Sequence, residues 1–174
     1  MLDAKKRSFL YGGVALTAAA LGVGVALRRH QLEVPSSLAL DALWASEFES
    51  PLGSTLRMAD YRSHPLVINF WATWCPPCVE EMPLIDAFYR QNSSNGWKMI
   101  GLAVDQPSRV RQFLTQFPVT YDIGLAGLNG TELGKSLGNE QSGLPFTIVL
   151  DAQGRPKHRK LGKLTEDDIK SWLV

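Results

Sequence analysis

The chain has few of the residues that bind transition metals. Its 174 residues include two cysteines and three histidines, His30, His64 and His158. Structural zinc takes four ligands, and catalytic zinc usually takes three from the protein. No histidine has a spacing that pairs it with the cysteines, and there is no second C-x-x-C. The sequence therefore argues against half of a zinc site, and we expect neither a metal nor another cofactor.

The sequence also lacks an excess of charge of either sign. Eighteen Lys+Arg face seventeen Asp+Glu, a formal net charge of +1. This balance gives no electrostatic footprint for nucleic acid, so no nucleic-acid partner is expected. The densest basic run, residues 157–160, is expected to be a solvated strand face. Apolar residues make up 45% of the chain, which is normal for a protein that buries a core.

Charge is absent altogether from residues 9–27, FLYGGVALTAAALGVGVAL. As a helix this segment would span about 28 Å, close to the hydrocarbon thickness of a bilayer. Basic residues stand on both sides of it, at 5–7 and 28–29, with a small excess before it. Gly24 and Ala26 would also suit cleavage of an export signal. We favour a retained single anchor, with the globular part outside the cytoplasm.

The remaining chain alternates strands and helices. We predict an anchor over residues 1–30, a tether over 31–43 and one domain over 44–174. Residues 65–71, PLVINFW, are typical of a central strand buried on both faces, and the spacing becomes helical after Cys75. This alternation of strands and helices predicts an α/β protein with a central mixed β-sheet flanked by helices. The predicted order of elements is β-β, β-α-β-α-β, α, β-β-α. Other predicted elements are strands at 44–48, 52–56, 97–104, 120–123, 146–150 and 156–161, and helices at 108–117, 129–137 and after Thr165.

The two cysteines, Cys75 and Cys78, lie where the central strand ends and a helix begins. This is the edge of the sheet at which α/β folds place their chemistry. The positive end of a helix dipole favours a thiolate, so we expect Cys75 to attack and Cys78 to resolve the mixed disulfide. A structural disulfide is the alternative, but closing so short a loop stabilises a fold little. We interpret the motif as a redox pair.

The residues around the pair, V-I-N-F-W-A-T-W-C-P-P-C followed by E-E-M-P, resemble the thioredoxin superfamily. They are most similar to its membrane-anchored TlpA-like or ResA-like branch, which includes the cytochrome c maturation thioredoxins. The resemblance implies a thioredoxin-like fold with an N-terminal transmembrane helix. The helix would lie in a bacterial inner membrane, with the catalytic domain facing the periplasm. Together with the anchor, the resemblance implies a protein-disulfide reductase, acting for example on apocytochrome c or a copper-site protein, that a membrane electron donor re-reduces. We expect a monomer.

A second stretch, Gly143-Leu144-Pro145-Phe146-Thr147, resembles the other landmark of this family. The resemblance implies that Pro145 is cis, that it lies opposite the cysteines, and that the backbone of Leu144 pairs with the bound substrate. Sequence pattern alone would favour a proline at the start of a strand. Trp74 is expected to shield the site and shape its docking surface, whereas Trp71 is expected in the core.

Asn69 stands where thioredoxins proper carry a buried aspartate that accepts a proton. An amide cannot titrate, so this role must move or vanish. In the ResA-like branch a glutamate three residues after the second cysteine takes it, and Glu81 matches that position. A half-buried carboxylate near Cys78 would have a raised pKa and could accept its proton. The alternative for Glu81 is an ordinary solvated helix residue, which is what we expect of Glu80.

Two other functions remain open from the sequence. Peroxiredoxins on the same fold resemble P-x-x-x-T-x-x-C, whereas here Thr73 stands two residues before Cys75. A non-enzymatic haem or metal chaperone would use the fold only as a docking surface. The two prolines between the cysteines remove backbone N–H groups that would stabilise a thiolate, which argues against a very oxidising pair and favours reduction of substrates.

Overall fold

A computed structural model describes residues 35–173 of the chain. No helix in this range is long and apolar enough to cross a bilayer. The anchor predicted over residues 9–27, and the start of the tether predicted over 31–43, lie outside the described residues.

After a first helix that was not predicted, the strands and helices follow the predicted order. The strands are β1 Glu47–Glu49, β2 Thr55–Arg57, β3 Leu66–Trp71, β4 Lys98–Ala103, β5 Asp122–Leu125, β6 Phe146–Leu150 and β7 Pro156–Leu161. The helices are α1 Ser37–Ala45, α2 Pro76–Asn92, α3 Pro107–Gln116, α4 Asn129–Ser136 and α5 Glu166–Lys170. Short 3-10 turns cover Met58–Tyr61, Ser93–Asn95 and Ser171–Leu173.

The strands form one mixed sheet in the order β2-β1-β5-β4-β3-β6-β7. β3 pairs in parallel with β4 and antiparallel with β6, so it lies at the centre. All six of its residues are buried, which explains its nearly continuous apolar sequence. The predicted central mixed sheet is therefore confirmed.

Helices cover both faces of the sheet because side chains alternate along each strand. Val67 and Trp71 of β3 belong to a core cluster with buried residues of α2, α3 and α5. Phe70, which points to the opposite face, lies beside Gly134 of α4. Trp71 is fully buried, as predicted.

Two local predictions were wrong. Residues 44–48 were predicted as a strand, but helix α1 occupies Ser37–Ala45, and it also includes the end of the stretch predicted as a tether. The reason is an N-cap: the Ser36 hydroxyl accepts a hydrogen bond from the backbone N–H of Ala39. The helix predicted at 108–117 begins one residue earlier, at Pro107, and has no side-chain cap.

Helix α1 should contribute to the stability of the domain through Leu43, which is 0% exposed. We expect Leu43→Ala to lower the free energy of unfolding by about 2–5 kcal/mol, because the substitution leaves a cavity in the core. Urea denaturation measures this. Leu38→Ala, in the same helix at 79% exposure, is the control and should change stability little. Equal effects of the two substitutions would contradict the packing of α1.

Candidate active site

Cys75 and Cys78 lie at the amino end of α2, directly after the loop that follows β3. Pro76 and Pro77 occupy the first two positions of the helix, where a missing N–H costs little. The two sulfurs are joined as a disulfide. Cys75 is 4% exposed and Cys78 is 0% exposed, so only Cys75 offers any surface to a partner. The predicted order of attack is consistent with this difference.

Few backbone donors are available to a Cys75 thiolate. Prolines 76 and 77 have no N–H group. The next two N–H groups, of Cys78 and Val79, both donate to the carbonyl oxygen of Cys75, at 3.0 and 3.2 Å. A thiolate at Cys75 would therefore depend mainly on the helix dipole.

Asp105 fixes the loop that carries Trp74. The Thr73 backbone N–H and hydroxyl donate to its Oδ2 at 2.9 and 2.6 Å, and the Gln106 N–H donates to its Oδ1 at 2.7 Å. Trp74 remains 59% exposed beside the disulfide. The sequence interpretation missed Asp105. Its position directly after a buried parallel strand was the available signal.

The Leu144–Pro145 peptide bond is cis, as the resemblance implied. Pro145 is buried, and its carbonyl accepts a hydrogen bond from the N–H of Gly162 at 2.8 Å. Asn139 holds the preceding loop, because its side chain bonds both the N–H and the carbonyl of Gly143, at 3.2 and 2.9 Å. The backbone of Leu144 is thereby fixed from both sides.

Trp74 and Leu144 line one groove of about 520 Å³. Asp105 and Arg109 lie along the same groove, and the ring of Phe70 is also part of its lining. Three residues were predicted to bind substrate. The structure brings two of them, Trp74 and Leu144, to the same groove, and the third, Pro145, follows Leu144 directly in the chain.

Glu81 is buried more deeply than the half-buried position that the sequence suggested. It is 1% exposed, on the buried side of α2 three residues after Cys78. Its Oε1 accepts from Asn69 Nδ2 at 2.8 Å, and its Oε2 accepts from the Leu164 N–H at 2.6 Å. Burial raises the pKa of Glu81 to about 7, although the Leu164 N–H, Asn69 and the Lys163 cation each favour the carboxylate. The alternative of a solvated residue is excluded.

Asn69 does not titrate, but it contacts the group that does. Its Nδ2 donates both to Glu81 and, at 3.0 Å, to the Thr147 hydroxyl on β6. Asn69 Oδ1 is buried and has no hydrogen-bond partner. A rotation of this amide would therefore offer an acceptor to a protonated Glu81. Neither Thr147 nor the Leu164 N–H was predicted to contact this group, because both come from distant parts of the chain.

Within residues 35–173, no three His, Cys, Asp or Glu side chains come together in a way that could hold a metal ion.

The chain is similar to known proteins in sequence and in fold. The Redoxin family model matches residues 44–173. Thiol-disulfide oxidoreductase ResA of Geobacillus thermodenitrificans is 31% identical over 122 residues, covering 70% of this chain and 68% of ResA. Thiol:disulfide interchange protein DsbE of Vibrio cholerae is 37% identical over 115 residues, covering 66% of this chain and 59% of DsbE.

Solved structures share the fold. A thiol:disulfide interchange protein of the thioredoxin family from Chlorobium tepidum has a TM-score of 0.65 at 23% identity, covering 80% of this chain and 93% of its own. A DsbF homologue from Corynebacterium diphtheriae has a TM-score of 0.65 at 24% identity, covering 74% and 82%. The predicted thioredoxin-like fold is confirmed.

The raised pKa of Glu81 should be visible in the pH dependence of stability. Between about pH 4.5 and 7 the folded state holds a proton that the unfolded state has lost, so stability falls as pH rises through this window. The amide of Glu81→Gln does not titrate. As pH rises from about 4.5 to 7, we therefore expect the free energy of unfolding of this variant to gain up to about 3 kcal/mol relative to the parent. Urea denaturation at several pH values measures the difference. Glu140→Gln, on an exposed residue, should follow the parent profile; a parallel profile for Glu81→Gln would contradict the burial argument.

Proposed function

The chain belongs to the Redoxin family and is a thiol-disulfide oxidoreductase of the ResA and DsbE type, and we propose that it reduces the disulfides of partner proteins outside the cytoplasm. Its relatives are named thiol-disulfide oxidoreductases and interchange proteins, so it is a redox enzyme. The observation that carries the finer proposal is the succession of Cys75, Cys78 and Glu81 at the amino end of α2, directly after Trp74, which lines a groove with Leu144.

The reaction uses both cysteines in turn. With the pair reduced, the thiolate of Cys75 attacks one sulfur of a partner disulfide, and the other partner sulfur leaves as a thiolate. The thiolate of Cys78 then attacks Cys75 Sγ, and the second partner sulfur leaves. Two electrons pass to the partner, and the Cys75–Cys78 disulfide present in the structure is the product.

Glu81 would accept the proton of Cys78 in the second step. An ordinary cysteine has a pKa of about 8.5, so a buried thiol needs a base at neutral pH. The pKa of Glu81, at about 7, suits a group that must take up and release a proton near that pH. Its position three residues after Cys78 on the same helix supports this role.

The surroundings of Cys75 support reduction as the direction. The scarcity of N–H donors around Cys75 gives little stabilisation to its thiolate. A strongly oxidising pair has a high reduction potential because its reduced form is stabilised. The surroundings of Cys75 therefore favour a low reduction potential, as in a reductase.

The apolar segment 9–27 supports an anchor in a bacterial inner membrane, with the enzyme facing the periplasm. A membrane electron donor would then return electrons to the disulfide. The groove beside Leu144 has room for an extended protein chain, such as that of apocytochrome c or of a copper-site protein. We propose that the enzyme acts as a monomer.

The position of Thr73 supports disulfide exchange over peroxide reduction. Its hydroxyl donates to Asp105 at 2.6 Å, and its backbone N–H bonds the same carboxylate. Thr73 is therefore committed to the loop around Asp105 and does not provide the threonine of a peroxidase motif.

Trapping tests the exchange reaction and its location. We expect Cys78→Ser to accumulate mixed disulfides through Cys75 with proteins of the extracytoplasmic fraction, because the resolving thiol is missing. Non-reducing electrophoresis and mass spectrometry identify the captured proteins. Cys75→Ser in the same background is the matched control and should capture none. Captured proteins that are all cytoplasmic would refute the proposed location.

The reduction potential tests the direction. We expect the Cys75/Cys78 pair to have a potential between about −200 and −300 mV, measured by equilibration with glutathione buffers. A value well above about −180 mV, in the range of isomerases and oxidants, would overturn the assignment as a reductase.

A further inference from the structure

Glu80 and Glu81, adjacent on α2, each bond one of two adjacent residues in the loop between β7 and α5. Glu80 Oε2 accepts from Lys163 Nζ at 2.5 Å, and Glu81 Oε2 accepts from the Leu164 N–H at 2.6 Å. We call residues 162–164 the covering loop. Glu80 was predicted to be an ordinary solvated residue, but it makes one of these two contacts between α2 and the covering loop.

The covering loop is fixed at both ends. At its start the Gly162 N–H donates to the carbonyl of Pro145 at 2.8 Å. At its end Leu164 is 2% exposed in the core, and Thr165 begins α5 with a capping box to Asp168. Between these ends the side chain of Lys163 lies at the surface, 48% exposed, and Glu80 is the partner that holds it.

The charges that face Glu81 come from several elements. Lys163 of the covering loop favours its carboxylate, and Asp168 of α5, which is paired with Lys160 of β7, opposes it. On the sheet side Asn69 is uncharged. Tyr121 is also neutral, because burial keeps its pKa above the usual range. Lys163 is thus a cation whose position bears directly on Glu81.

We propose that Glu80 and Lys163 are positioning residues: their ion pair holds the covering loop on α2, so that the Lys163 cation stays near Glu81 and the Leu164 N–H stays bonded to it. This proposal rests on the proposed function in one respect: it takes Glu81 as the group that accepts the proton of Cys78. The surface ion pair of Glu80 with Lys163 would then affect the pH range in which Glu81 is ionised.

The sign of one effect separates positioning from simple electrostatics. Glu80 is itself negative, so removing its charge would lower the pKa of Glu81 if charge alone mattered. If Glu80 acts by holding Lys163, its removal lets the cation move into solvent and raises the pKa of Glu81 instead. The two explanations therefore predict opposite shifts for the same substitution.

The test is a carbon NMR titration of the Glu81 side-chain carboxyl in the full chain with the disulfide intact. The variants are Glu80→Gln, Lys163→Met and Lys163→Arg. Glu166→Gln, which breaks the exposed pair of Glu166 with Lys170, is the matched control. Glu81→Gln assigns the resonance.

We expect Lys163→Met to raise the pKa of Glu81 by about half a pH unit, a modest shift because the pair is partly solvated. Glu80→Gln should raise it by less, Lys163→Arg should restore the parent value, and Glu166→Gln should leave it unchanged. A lower or unchanged pKa in Glu80→Gln would overturn the proposal, and so would an equal shift in Glu166→Gln.

Insulin reduction by the same variants keeps the two proposals apart. If the pKa of Glu81 shifts as expected but no form of the chain reduces insulin, the reductase assignment fails while the positioning role stands. If the parent reduces insulin, the pH at which its rate reaches half its maximum should move upward in Lys163→Met and Glu80→Gln. An unmoved pH profile together with an unmoved titration refutes the positioning role alone.

Discussion

The burial of one carboxyl group, that of Glu81, is the constraint around which the active site is arranged. A charged group without water is costly unless donors replace the lost hydration. Asn69 and the Leu164 N–H provide two donors, and Lys163 provides a nearby charge. These contacts do not fully offset burial, so the pKa of Glu81 lies near neutrality, where a proton can be taken up and released.

The same contacts connect parts of the chain that perform different tasks. The covering loop bonds Pro145 at one end and Glu81 near the other, so it connects the cis proline with the buried carboxyl group. Asn69 joins Glu81 to Thr147 on the strand that begins beside Pro145. The buried carboxyl of Glu81, strand β6 and the cis proline are therefore joined by one set of hydrogen bonds.

Several features were predictable because they depend on local pattern. The run of residues 65–71 predicted the buried strand β3, and the change to helical spacing predicted α2. Helix α1 was missed because Pro35-Ser36 is as typical of a loop as of a helix cap. The depth of Glu81 was also underestimated, since nothing near it in the sequence shows that a loop some eighty residues away covers it.

The sequence alone determined the chemistry: two cysteines at a strand–helix junction, an asparagine that cannot titrate, and a glutamate one turn after Cys78. Short-range spacing carries this information, because helix periodicity fixes which neighbours share a face. Only the tertiary structure decided the environment. Burial, the Leu164 N–H and the nearby Lys163 charge arise from long-range contacts, and these contacts act on the pKa of Glu81.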